Sequence, residues 1–415
     1  MARRIQARDV QGLKYFEQLA PLLERLHDVG TERDRAHNRT LHYDQYCMLV
    51  LMYLFSPLVT SLRGLQQASE LDVVQKKLGV SRTSLGSLSE ATDVFDPERL
   101  REIVQELAAQ LPARESQQRD PQLEEVKQII TAVDGTLVNT LARILEAACS
   151  TSRSTGHTKA AWRLHTHFEV ERGLPVRIDV TGGSGRGEND ERAVLAKHLE
   201  PDRCYLLDRG YAKFALFNAI HALGSSYVCR IRDNSVYTIL EERPLTAADR
   251  AAGVVLDALV EMGQSRSGDD RPHHPLRLVI VQTEPHQGHG EQRGHDSDGF
   301  LRILTNLLDP PAEIIAVLYR YRWTIEIFFR FFKHLLGCRH LLSTDARGIE
   351  IQAYCAIIAC LLIALWTGRK PTKRTYEMVC FYLIGWASED ELLRHLERLK
   401  QRDERAAQKK LNRGV

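Results

Sequence analysis

The sequence has no excess of charge of either sign: 56 Lys and Arg stand against 54 Asp and Glu, a net charge of +2 over 415 residues. No global field marks the chain for a polyanion or a membrane surface, so any basic footprint must be local. The eight cysteines (Cys47, Cys149, Cys204, Cys229, Cys338, Cys355, Cys360 and Cys380) form no C-x-x-C pair, and Met1-Ala-Arg-Arg opens no secretory leader. Both absences argue against a disulfide framework or a zinc ribbon, and they predict reduced, mostly buried thiols in a cytoplasmic protein. Long apolar runs are missing too. The one tempting stretch, 349–366, is broken at its start by Glu350 and Gln352 and leaves 14 uninterrupted residues, short of the roughly 18 to 20 that cross a bilayer. A buried core helix and no membrane partner are expected there. Neither Gly (26) nor Pro (14) is abundant enough for collagenous or low-complexity sequence. What is present is a globular chain, 43% hydrophobic, long enough for about three domains or one core with large insertions.

Residues 1–120 repeat apolar positions at three and four over 13–26, 43–55 and 98–111, without strand alternation, which predicts an all-helical domain. Within it, 71–91 reads as a helix-turn-helix: Gly79 stops one helix, Val80 turns tightly, and Ser81 caps a second helix. That helix would offer Arg82, Thr83, Ser84 and Ser87 to phosphates and base edges; an ordinary helical hairpin has the same pattern, and both readings stand. From about residue 121 the texture changes. A strand at 126–133 ends at Asp134-Gly135-Thr136, and a helical stretch follows at 141–149. Next come a hairpin of 161–171 and 174–181 around Arg172-Gly173, a Gly-rich loop at 182–187 and a helix at 190–199. The strand Cys204-Tyr205-Leu206-Leu207 ends at Asp208-Arg209-Gly210-Tyr211, with a helix at 212–223 and a strand at 226–232 after it. This order is that of a mixed α/β sheet. Residues 235–305 look inserted, with a short helix near Ala247, strands at 276–283 and 300–305, and a His/Gly/Asp loop between them. A long helix at 312–336 and the apolar helix 349–366 follow. The last segment, 371–415, reads as helical and basic, its residues 394–413 carrying eight Lys or Arg against three acids.

Asp134 and Asp208 each stand at the carboxyl end of a predicted strand, where α/β sheets present side chains to the crevice that binds ligands. Taken singly, such an Asp is commonly a turn former or a cap. The helix at 312–336 changes that weighting. At about 100° per residue, Tyr319, Arg322, Glu326 and Lys333 fall within about 60° of one another, with Arg330 beside them. Phe328, Phe329, Phe331 and Phe332 spread over the remaining surface. A solvated face interleaves both signs, whereas one carboxylate among cationic and phenolic groups suits a phosphate-bearing polyanion approaching an acid that holds a metal.

The spacing of Tyr319, Arg322, Glu326 and Lys333 resembles the YREK signature of bacterial insertion-sequence transposases of the DDE class, family four, the group of the Tn-five and Tn-ten enzymes. Asp134-Gly135-Thr136 and Asp208-Arg209-Gly210-Tyr211 resemble that family's first and second catalytic acids, and the likeness runs over roughly residues 125–370. The resemblance implies an α/β, RNase H-like mixed-sheet catalytic core (121–234 and 306–370) interrupted by a β-rich insertion (235–305). A helical N-terminal DNA-binding domain (1–120) and a C-terminal helical basic segment (371–415) would flank it. It further implies Asp134, Asp208 and Glu326 as catalytic acids holding two Mg²⁺ ions. Hard oxygen ligands favour Mg²⁺ or Mn²⁺ over zinc. Arg322 and Lys333 would clamp phosphates at the transposon end, Tyr319 would donate a hydrogen bond to one, and Arg330 lies alongside. The implied partners are the terminal inverted repeats, the target DNA and a second copy of the chain in a paired-end complex. One departure stands out: relatives that cut through a DNA hairpin stack a flipped base on a tryptophan in the insertion, yet no Trp occurs between Asp208 and Arg322. Trp323 on the catalytic helix, or Tyr237 or Phe300, is the stacking surface available.

Two other functions fit parts of the sequence: an RNase H-like nuclease without strand transfer, and a captured helix-turn-helix regulator, against which the retention of all three acids speaks. The histidines His273, His274, His286, His289 and His295, with Asp296 and Asp298, match no zinc spacing and read as a solvated loop. His165 and His167 alternate on one strand and read as satisfied sheet residues. The basic tail either touches DNA or is a solvated helix.

Overall fold

The computed structural model describes residues 19, 21–29, 33–34, 39–56, 58–111, 121–139, 149–151, 158–183, 185–264, 267–283, 298–337, 341–343, 345–368 and 371–411. They belong to two units, one gathering 1–112, 140–146 and 329–415, the other 113–139 and 147–328. The expected helix at 141–149 and the histidines His286, His289 and His295 with Asp296 lie outside the described residues, except that Cys149 opens a short strand.

The N-terminal part of the first unit is helical, with α1 (Tyr43–Phe55), α2 (Leu62–Ser69), α3 (Asp72–Leu78), α4 (Leu85–Val94) and α5 (Glu98–Gln110). The helix-turn-helix reading needs correction. Gly79 does end α3 in the left-handed conformation, at φ 65°, as only glycine does without strain. The next helix, however, begins at Leu85, capped by Ser84, whose hydroxyl accepts from the Ser87 amide at 3.0 Å. The amide of buried Thr83 donates to Ser69 Oγ at 3.0 Å. That bond to α2 holds the segment before Ser84 extended and moves the cap three residues downstream. Arg82 therefore sits on the connection, exposed and paired with Glu70 at 3.4 Å, and Ser84 is occupied as a cap.

The second unit is built on one sheet. β1 (Ile129–Asn139) pairs antiparallel with β3 (Thr158–Glu169), which pairs with β4 (Leu174–Gly182) in a hairpin and, at its start, with β2 (Cys149–Thr151). On its other side β1 runs parallel to β5 (Arg203–Leu207), and β5 runs parallel to β6 (Ser226–Arg230). The helices α6 (Glu191–Lys197) and α7 (Phe214–Ala222) make the crossovers. The order β4-β3-β1-β5-β6, three antiparallel strands followed by a parallel pair, is an RNase H-like mixed sheet. β5 is apolar and buried on both faces, as a central parallel strand must be. Its Tyr205 and Leu207 share a core with Phe217, Tyr227 and Cys229, with the Phe217 and Tyr227 rings stacked at 4.1 Å.

Residues 235–305 carry β7 (Thr238–Glu242), α8 (Ala247–Ala251), β8 (Val254–Glu261), β9 (Leu276–Gln282) and β10 (Phe300–Thr305). β10 pairs antiparallel with β6, so these strands continue the core sheet in the order β6-β10-β9-β8-β7. Arg277 on β9 ties the extension to the chain beyond it. Its guanidinium is 1% exposed and bonds both carboxylate oxygens of Asp257 on β8 at 2.8 Å. It also donates to the carbonyls of Leu307, Leu308 and Pro310, the segment that leads into the next helix.

That helix is the second correction. Instead of one rod over 312–336, the chain forms α9 (Ala312–Tyr321) and α10 (Trp323–Gly337). The Arg322 amide bonds Tyr319 O at 3.1 Å and the Ile325 amide bonds Arg322 O at 3.3 Å, so the ladder tightens to three-residue steps at Arg322.

The C-terminal part supplies α11 (Ala346–Thr367), α12 (Lys373–Leu383) and α13 (Glu389–Leu411). By length and composition α11 could cross a membrane, contrary to the expectation of a run too short to do so, but 89% of its apolar window is buried inside the protein. It packs against α1, α4 and α5 and is apolar all round, the pattern of a core helix. Its polar Gln352 is buried, with Oε1 accepting from the Leu342 amide at 2.9 Å. Cys47, Cys204, Cys229, Cys355, Cys360 and Cys380 are buried and form no disulfide.

Candidate active site

The first acid sits differently from the expectation. β1 does not stop at Asp134; it continues to Asn139 against β3, and only its parallel pairing to β5 ends early, at Ala132 opposite Leu206. Asp134 and Asp208 therefore each lie two residues beyond the last pair of two neighbouring parallel strands. Equal register places them on the same face of the sheet. Asp134 Oδ1 accepts from the Gly135 amide at 2.8 Å. Asp208 caps the short turn Arg209–Tyr211, its Oδ1 accepting from the Gly210 amide at 2.7 Å.

Arg322 joins Asp134 to the third acid. Its guanidinium donates to Glu326 Oε1 at 2.7 Å and stands 3.6 Å from Asp134 Oδ2, so one side chain from the break between α9 and α10 spans two carboxylates from distant parts of the chain. The Arg322 side chain is 8% exposed and packs 5.9 Å from the Tyr319 ring and 5.0 Å from the Trp323 ring. Burial pushes the Asp134 carboxyl up to about 6. The charges of Asp208 and Glu191 add to that rise, while the Gly135 amide and Arg322 oppose it. Three carboxylates, Asp134, Asp208 and Glu326, thus stand against the single guanidinium of Arg322. Carboxylates that converge without enough cationic partners, offering only hard oxygen donors, fit a divalent cation such as Mg²⁺ or Mn²⁺.

Asp134, Asp208, Arg322 and Glu326 come together in one unit. Tyr319 is buried beside Arg322, with its hydroxyl pushed up to about 12 by burial. Trp323 is half exposed, at 51%. Arg330 and Lys333, further along α10, are exposed and belong to the helical unit, as do Arg82 and Ser84. His165 and His167 are buried, and burial lowers each to about 4. His165 Nε2 bonds Thr181 Oγ1 at 2.7 Å, so these are sheet residues as expected. His274 is likewise paired, to the Tyr227 hydroxyl at 3.0 Å.

Sequence reasoning missed Glu191. It opens α6, and its carboxylate lies against Gly135 while pairing with Arg163 on β3. No spacing marks it out, because an acid in the first turn of a helix is ordinary.

The class this fold and site suit is given by comparison with known proteins. Residues 126–362 match the family model described as "Transposase DDE domain", and the chain belongs to the DDE transposase family, consistent with the insertion-sequence family-four signature. It is 26% identical over 218 residues to a protein of Sinorhizobium fredii named as the transposase y4zB, covering 52% of this chain and 56% of that one. It is 24% identical over 249 residues to a protein of Geobacillus stearothermophilus named as the transposase for insertion sequence element IS5377, covering 57% and 60%. The match thus spans under two thirds of either relative's length. Among solved structures, a piggyBac transposase synaptic complex with hairpin DNA is similar at TM-score 0.39 and 11% identity, over 92% of this chain and 77% of that one, too loose to argue from.

Proposed function

We propose that this DNA transposase binds terminal inverted repeats, cleaves at the transposon ends and joins the freed 3′-hydroxyls to target DNA, with Asp134, Asp208 and Glu326 as its catalytic acids. The observation that carries the reading is the Arg322 guanidinium spanning Asp134 and Glu326, with Asp208 in electrostatic reach of Asp134. Two Mg²⁺ or Mn²⁺ ions held by these acids would activate water or a 3′-hydroxyl for in-line attack and stabilise the leaving oxygen. Arg322 fixes Glu326 before any cation arrives and neutralises part of the acid cluster. Its flat cation against Trp323 leaves that indole half exposed, a surface on which an unpaired base can stack. Arg330 and Lys333 bind backbone phosphates, Tyr319 holds the Arg322 guanidinium from beneath, and the N-terminal helices with Arg82 and Ser84 contact the inverted repeat. Two copies act together in the paired-end complex.

The test is cleavage of DNA carrying the inverted repeats that flank the gene. Glu326→Gln should abolish Mg²⁺-dependent cutting while gel-shift binding stays near the parent's; undiminished cutting would remove Glu326 from the site.

A further inference from the structure

Two glycines follow the strand acids, and neither adopts a positive φ, so backbone conformation does not explain them. Space does. A Cβ on Gly135 would meet Glu191 Oε1 at 2.4 Å, closer than real Cβ contacts come. A Cβ on Gly210 would stand 3.0 Å from Asp208 Oδ1 and 3.8 Å from Glu191 Oε2. Glu191 therefore places one carboxylate oxygen beside the residue after Asp134 and the other toward the residue after the Asp208-Arg209 pair. Arg163, from β3, holds it there as its ion partner. Beneath the group lies Tyr211, fully buried, its hydroxyl unpartnered and within electrostatic reach of Glu191, Asp134 and Asp208. A buried hydroxyl left unbonded among carboxylates marks a place where a further ligand, a cation or its water, completes the set.

We propose that Glu191 is a fourth carboxylate of the metal centre, a ligand to the cation held between Asp134 and Asp208, with Arg163 as its counter-ion when no cation is bound. This rests on the reading that Asp134 and Asp208 hold a divalent ion. Arg163 holds the Glu191 carboxylate in place as its ion partner, and Glu191 would ligate the cation through one carboxylate oxygen without leaving α6.

The test is Mn²⁺ binding to the full chain, followed by electron paramagnetic resonance and calorimetry in the absence of DNA. Glu191→Gln should weaken binding at the tighter site about tenfold or more, with thermal unfolding confirming a folded protein. Arg163→Gln, which removes the counter-ion but leaves the ligand, should bind Mn²⁺ as tightly as the parent or more tightly. Unchanged Mn²⁺ affinity in Glu191→Gln, or equal loss in both variants, would reduce Glu191 to a structural partner of Arg163 and overturn the proposal. Asp134→Asn separates the two layers: it should lose the tighter site, and if it binds Mn²⁺ like the parent, the reading beneath the proposal fails instead.

Discussion

Asp134→Asn, made to remove one of the acids proposed for the site, should make the cation-free protein more stable. The Asp134 carboxyl is pushed from 3.8 up to about 6, first by burial and then by the neighbouring charges of Asp208 and Glu191, against the Gly135 amide and Arg322. The charged form is thus disfavoured in the folded state, on the order of 3 kcal/mol. Below pH 4 the group is protonated whether folded or unfolded, and the folded protein keeps this stability in full. Between pH 4 and 6 the unfolded chain releases its proton first and the advantage is progressively lost; above 6 the loss is complete. Asn retains an acceptor for the Gly135 amide, now bonded at 2.8 Å, but gives up the charge that faces Arg322 at 3.6 Å, which returns part of the gain. A net increase of about 1–3 kcal/mol at pH 8 is expected. Urea unfolding in EDTA at pH 4 and pH 8 measures it: the variant and parent should nearly coincide at pH 4 and separate at pH 8, and saturating Mg²⁺ should narrow the gap by stabilising the parent. A variant no more stable than the parent in EDTA at pH 8 would show that the acids are not crowded as described.

Arg277→Met should destabilise the protein by about 3–5 kcal/mol, because it strands the buried Asp257 carboxylate; the same urea midpoint reads it. A parent-like midpoint would mean that water enters and solvates Asp257. Gly348→Ala should destabilise the helical unit, since its Cβ would come within 2.3 Å of Ser343 and 2.6 Å of Thr92. The cost is about 1–3 kcal/mol, checked by hydrogen exchange in α4 and α11, where unchanged protection would refute the close approach.

How much of the fold could be read beforehand depended on whether the signal was local. Asp208 was legible because the apolar run 204–207 is a central strand with both faces covered, and its end is sharp. Asp134 was expected at a strand end and is not there, because β1 loses β5 and keeps β3, and one-sided pairing leaves no mark on sequence. Spacing alone singles out Glu326, while nothing announces the tightening at Arg322, since Tyr321-Arg322-Trp323 contains no proline or glycine. β7 and β8 escaped notice for opposite reasons. β7 is an exposed edge without a buried face to impose alternation, and β8, Val-Val-Leu-Asp-Ala-Leu-Val-Glu, carries Asp257 inward only because Arg277 waits there. Glu191 depends wholly on tertiary contact. In the helix-turn-helix region, the Thr83 amide bound to Ser69 moved the cap from Ser81 to Ser84.

The Arg277 guanidinium has a practical consequence for anyone wishing to shorten this protein. It fastens two strands of the 235–305 segment to the carbonyls at the entrance of α9, and α9 leads directly to Arg322 and Glu326. Excising that segment as a dispensable appendage would cut the mooring of the helix that leads to Glu326, so a minimal version must supply a replacement anchor there.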